Sequence, residues 1–108
     1  LSGREPDRLN FRTVECHEYG PGGQLGAEGH YDAGSLITMD IMLADPDAEF
    51  TGGELGMPEP SGSTRRVAMR RGDAVMFLSH KYHNVSPVAS GTRAVLVLEL
   101  WDGPGRSC

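Results

Sequence analysis

Long apolar runs are missing from this sequence. No stretch of about 18 apolar residues occurs, so nothing in it reads as a membrane-spanning helix. No leader with a charged start, an apolar middle and a small-residue cleavage site is visible. The chain opens at Leu1 rather than methionine, which suggests a segment excised from a longer chain and leaves localisation open. Cysteine is scarce: Cys16 and Cys108 are the only two. That is too few for a disulfide framework, and sequence cannot show whether their Cα atoms come close enough to bridge. No basic stripe dominates, and a net charge of -5 argues against a nucleic-acid partner. A sustained helical period and internal repeats are both absent. The 108 residues make one domain, because a chain of this size buries roughly two-thirds of its unfolded surface, enough for one modest core.

What is present is punctuation. Fifteen glycines and seven prolines divide the chain into short extended pieces. Phe11 to Tyr19 reads as a strand, with Thr13, Glu15, His17 and Tyr19 on one face and Val14, Cys16 and Glu18 on the other. Gln24 to Asp32 is a second extended piece, and Ala33-Gly34 turns the chain. Ser35 to Leu43 is the clearest strand: Ile37, Met39, Ile41 and Leu43 alternate with Leu36, Thr38, Asp40 and Met42. Thr51 to Glu54 is expected as a glycine-bearing bend and Met57 to Ser63 as a Pro/Gly/Ser loop. Thr64 to Met69 and Asp73 to Leu78 follow as strands. His83 to Val88, a turn at Pro87, and a last strand from Thr92 to Trp101 read as a hairpin that would bring His83 and Arg93 into one cavity from neighbouring strands. Around eight short strands with turns between them predict an all-β domain, a sandwich or jelly roll, and the reading taken is a double-stranded β-helix.

Certain polar residues fall in a pattern with chemical meaning. On a strand, residues i and i+2 share a face, so His30 and Asp32 can present an imidazole nitrogen and a carboxylate oxygen to one ion. With His83 they make two histidines and one carboxylate, the facial set that leaves open positions on an octahedral Fe(II). Arg93 opens a strand whose other residues are apolar apart from Glu99. A guanidinium there is costly to bury without an anion, and its planar fork suits a carboxylate-bearing co-substrate. Thr38 either lines the pocket or is simply a β-branched strand former. His17 and His80 have no partner at ligand spacing. Trp101 reads as packing. Arg65, Arg66, Arg70 and Arg71 read as solvated strand ends or, alternatively, as an attraction for an acidic partner. Asp45, Asp47 and Glu49 lack the pattern of a calcium loop.

His30, Asp32, His83, Val85, Pro87, Val88, Gly91 and Arg93 together resemble the H-x-D, distal H-x-V-x-P-V-x-x-G and downstream basic residue of the 2-oxoglutarate- and Fe(II)-dependent oxygenases, in their prolyl 4-hydroxylase-like branch. Tyr19, Gly22 and Leu25 resemble that family's lead-in to the metal strand, Gly52-Gly53-Glu54 its G-G-acidic segment, and Gly72-Asp73 through Phe77 its G-D strand. The resemblance runs from Val14 to Trp101. It implies Fe(II) held by His30, Asp32 and His83, and 2-oxoglutarate gripped by Arg93 with help from Tyr19. O2 would be the oxidant, with ascorbate as a candidate accessory reductant. The implied reaction hydroxylates a peptidyl, prolyl-type side chain or a small molecule. The rival from another class is a cupin-like metal-binding or sensor module without turnover, which would need no Arg93.

Overall fold

A computed structural model describes residues 9–30 and 34–103. Among them are ten β-strands and no helix: β1 (Asn10–Tyr19), β2 (Leu25–His30), β3 (Ile37–Met42), β4 (Phe50–Gly52), β5 (Leu55–Pro58), β6 (Thr64–Val67), β7 (Ala74–Leu78), β8 (His83–Val85), β9 (Val88–Gly91) and β10 (Arg93–Trp101). Two four-stranded sheets form, in the orders β1-β10-β3-β7 and β2-β8-β5-β6, with β4 and β9 as a separate pair. The chain therefore passes repeatedly from one sheet to the other. This winding is the expected double-stranded β-helix.

Alternation decides which side chains meet between the sheets. On β3 the buried face is Thr38, Asp40 and Met42, while Ile37, Met39 and Ile41 are only partly covered. The more polar set therefore faces inward, and the uniformly apolar set lies on the outside of the sheet. On β10 the inward set is Arg93, Val95 and Val97. Pairing of β1 with β10 aligns Tyr19 with Arg93, and pairing of β3 with β10 aligns Asp40 with Val97. The apolar core, with Met42, Phe50, Leu55, Met57, Phe77, Val85 and Val88 among its members, fills the space beside this polar wall.

Two local expectations change. His83 and Arg93 do not come from neighbouring strands of a hairpin. β8 pairs with β2 and β5 in the second sheet, β9 turns aside to pair with β4, and β10 lies in the first sheet. The two residues thus come from opposite walls. Likewise Met57 and Pro58 belong to β5 rather than to a loop. Pro58 is tolerated because it pairs only with Thr64, whereas Leu55 and Gly56 pair on both sides; a missing N–H costs nothing where no second strand follows.

The expected bend at Gly52-Gly53 follows directly on β4, with φ of 72° and 60° at the two glycines. A Cβ at Gly52 would stand 2.5 Å from the Pro87 carbonyl oxygen and 2.8 Å from the Ala89 nitrogen, both main-chain atoms that cannot swing away. Gly52→Ala combines a left-handed backbone with this overlap and should cost about 2–4 kcal/mol. Thermal unfolding should show a midpoint lowered by roughly 10 °C or more. An unchanged midpoint would mean that the bend does not press against the turn after β8.

Candidate functional site

Arg93 is the first residue of β10 and is 1% exposed. Its Nε donates a hydrogen bond to the Gly53 carbonyl at 2.9 Å, and its guanidinium carbon lies 6.0 Å from the centre of the Tyr19 ring. Gly53 makes this approach possible, since a Cβ there would sit 3.0 Å from the Arg93 Cδ. Burial pulls the guanidinium below its ordinary pKa, and the charges of Asp40 and Tyr19 oppose that pull. Tyr19 shifts upward, chiefly through burial; Arg93 lowers it and Asp40 adds to the rise. The Nη2 of Arg93 is buried and has no hydrogen-bond partner. A charged donor left so is costly, and a carboxylate-bearing molecule is the group whose geometry would satisfy it. The residues at this end therefore fit 2-oxoglutarate.

His83 lies on the opposite wall, 5% exposed. Its Nδ1 is 3.1 Å from the Lys81 carbonyl oxygen. A carbonyl only accepts, so Nδ1 carries a proton, which leaves Nε2 as the nitrogen through which the ring would ligate a metal. The Phe77 ring packs on the imidazole at 4.9 Å between centroids, tilted by 58°. In the backbone register of β2 with β8, His30 stands opposite His83. Asp32 lies outside the described residues. Among those described, no group of three or more His, Cys, Asp or Glu side chains converges as a metal cluster. The imidazole nevertheless suits a divalent metal, as its orienting hydrogen bond shows.

The structure thus brings Tyr19 and Arg93 together, and sets His30 and His83 opposite each other in register. It does not place Thr38 beside Arg93. Thr38 is level with Phe77 on one side and Glu99 on the other, toward the far end of β10 and the His83 side of the pocket. It is 1% exposed, and its hydroxyl lies 2.8 Å from that of Ser79.

Sequence reasoning missed Asp40, 7% exposed on the same inward face as Thr38. Its alternation with Ile37, Met39 and Ile41 was the available signal, but the apolar set is the one that ordinarily faces a core. The ring of Phe77 against His83 and the carbonyl of Gly53 under Arg93 had no sequence signal, because both contacts join elements distant along the chain.

Residues without an assigned role follow expectation in large part. His17 is partly exposed, 3.1 Å from Glu15, and His80 is exposed. Trp101 lies under the Arg12 guanidinium at 5.5 Å. Arg65, Arg66, Arg70 and Arg71 are exposed and stand 3.9–4.0 Å from Glu59, Glu54, Asp73 and Glu49; surface pairs this long contribute little to stability. Cys16 is a free, exposed thiol, and Cys108 lies outside the described residues. No described helix is long and apolar enough to cross a membrane.

Comparison with known proteins bears on the same residues. The family model for the 2OG-Fe(II) oxygenase superfamily matches residues 14–101. A PKHD-type hydroxylase of Maricaulis maris is 38% identical over 61 residues, covering 56% of this chain and 27% of its own length. A prolyl-4-hydroxylase of Pseudomonas putida superposes with a TM-score of 0.68 at 25% identity, covering 87% of this chain and 55% of its own. An oxidoreductase of the 2OG-Fe(II) oxygenase family from Burkholderia pseudomallei shares the fold, with a TM-score of 0.78 at 20% identity over 90% of this chain and 47% of its own. The chain spans little more than half, at most, of each of these proteins.

Proposed function

Because the chain belongs to the 2OG-Fe(II) oxygenase superfamily, we propose that residues 1–108 form one catalytic-core domain of a 2-oxoglutarate-dependent dioxygenase. The observation that carries this reading is the buried Arg93 guanidinium with its unpartnered Nη2. A bare metal module has no use for a desolvated cation in its pocket, whereas a co-substrate with a distal carboxylate needs one.

In this reading His30, Asp32 and His83 would hold Fe(II), and Arg93 would hold a carboxylate of 2-oxoglutarate. When bound, iron, 2-oxoglutarate and O2 supply the oxidation that places a hydroxyl on the substrate and releases succinate and CO2, with ascorbate as an accessory reductant. Everything else is done by the chain. Lys81 keeps the His83 ring oriented through its carbonyl, and Phe77 packs against that ring. Gly53 fixes the Arg93 Nε, which turns the rest of the guanidinium toward a ligand. Tyr19, stacked beside Arg93, adds a hydroxyl to the carboxylate site. Thr38 lines the wall toward His83 rather than the Arg93 end.

A peptidyl, prolyl-type side chain is the proposed substrate. The resemblance of the motif to prolyl hydroxylases supports it, as does the 25% identity to the Pseudomonas putida prolyl-4-hydroxylase. The test is succinate release with Fe(II), 2-oxoglutarate and O2, with and without proline-containing peptides. Iron-dependent succinate is expected even without peptide, and a rise with peptide. Release that ignores peptides but rises with a small-molecule substrate would replace the peptidyl assignment. No release under any of these conditions would leave a metal-binding module.

A further inference from the structure

β6 and β7 are the terminal strands of their respective sheets, and between them lies a cleft of ≈ 530 Å³. Its lining includes Met57, Arg65, Met76, Phe77, His80 and Lys81. It adjoins the candidate metal ligand through two contacts already described: the ring of Phe77 packs on His83, and the carbonyl of Lys81 accepts from His83 Nδ1.

Among the described residues, no strand pairs with the outer edge of β7 along this cleft. Met42 N–H bonds to the Asp73 carbonyl and Ser79 N–H to the Leu36 carbonyl, which fixes the alternation of the β3–β7 ladder. Asp73, Val75, Phe77 and Ser79 turn their main-chain groups toward β3. The N–H and C=O of Ala74 and Met76 therefore point out from the open edge. Such an edge is a template for an added strand. The Met76 side chain is 61% exposed beside it.

The charge of the cleft is opposite to that of the molecule. The whole chain carries -5, yet among the described residues no acidic side chain lines the cleft, whereas the cations Arg65 and Lys81 do, with His80 beside them. Lys81 is the chain's single lysine. Glu59 approaches Arg65 at 3.9 Å, an exposed pair too weak to cancel the field.

We propose that the β6–β7 cleft receives the substrate as an extended acidic peptide, paired main chain to main chain with the edge at Ala74 and Met76 while its carboxylates face Arg65 and Lys81. This rests on the oxygenase reading and names the class of protein substrate it would serve. A small anion would use the charges but not the edge. A neutral strand would use the edge but not the charges.

The experiment is direct binding, read by fluorescence anisotropy, of short labelled peptides with a central proline flanked by aspartates, asparagines or lysines. The aspartate peptide should bind about tenfold or more tightly than the lysine peptide, a difference of about 1.4 kcal/mol or more, and the gap should shrink as salt is raised. Arg65→Glu, a change at an exposed side chain, should erase most of that preference. Methylating the backbone nitrogens of the aspartate peptide should weaken it, because edge pairing loses donors. Equal binding of the three peptides, or indifference to N-methylation, would overturn the proposal. So would displacement of the aspartate peptide by succinate as effectively as by unlabelled peptide. Binding is read without iron or turnover. A protein that releases succinate but ignores peptide charge therefore refutes the cleft and leaves the reaction standing, and one that binds the aspartate peptide without any turnover does the reverse.

Discussion

Arg93→Ala is expected to raise the 2-oxoglutarate concentration needed for half-maximal succinate release by about one to two orders of magnitude. A charge-assisted hydrogen bond lost from a desolvated site is worth roughly 1.5–3 kcal/mol, and each 1.4 kcal/mol is about tenfold. Iron affinity should change little, because Arg93 is not a proposed ligand. The substitution has a structural component as well. It removes the donor to the Gly53 carbonyl and the cation whose charge is felt by Asp40 and Tyr19. Thermal unfolding with and without 2-oxoglutarate separates the two effects: a ligand that binds the folded protein raises its midpoint. Wild type should show that rise and Arg93→Ala should not, whatever its own midpoint. Arg93→Lys keeps the charge but not the fork and should fall between them. Coincident 2-oxoglutarate curves for all three proteins would remove Arg93 from the co-substrate site.

His83→Ala should bring succinate release below detection and weaken Fe(II) binding by at least about 10–100-fold. That range is the usual cost of losing only a partner that orients a metal ligand, so losing a ligand should cost no less. The imidazole also fills space against Phe77, and its removal opens a cavity that costs some stability. Far-UV circular dichroism should nevertheless retain the β signature, since both sheets are held by main-chain ladders that do not involve this ring. Anaerobic titration with Fe(II) is the deciding measurement. Iron affinity equal to that of wild type would exclude His83 as a ligand.

The polar positions were legible because their chemistry is intolerant of change. An imidazole pair with a carboxylate, and an arginine heading a largely apolar strand, stand out from a background of strand formers wherever the chain takes them. Less legible was which sheet each residue would join. His83 and Arg93 are ten positions apart and look like two arms of one hairpin. The short β9 strand between them pairs with β4 instead, and so the two residues reach the pocket from opposite walls. No local signal encodes that detour. It depends on the 50–53 segment arriving from elsewhere and on glycines that let it press against the turn after β8.

By itself the sequence determined the all-β class, the longer strands to within a few residues, the double-stranded β-helix and the family. Each of these follows from periodicity, turn residues and an ordered set of chemically specific side chains. It did not determine the short strands β4 and β5, which lie where it reads as a bend and a loop. Only the tertiary structure decided which face of β3 is inside. Both faces of ITMDIM are compatible with a pleated strand; in the fold Thr38, Asp40 and Met42 turn inward together with Arg93, Val95 and Val97 of the neighbouring β10. The tertiary structure alone also decided the carbonyl beneath the guanidinium and the orientation of the His83 ring. The same holds for the open, basic cleft beside β7. Contacts between residues far apart in sequence have no local signature, because they come into being only when two separate strands are brought together.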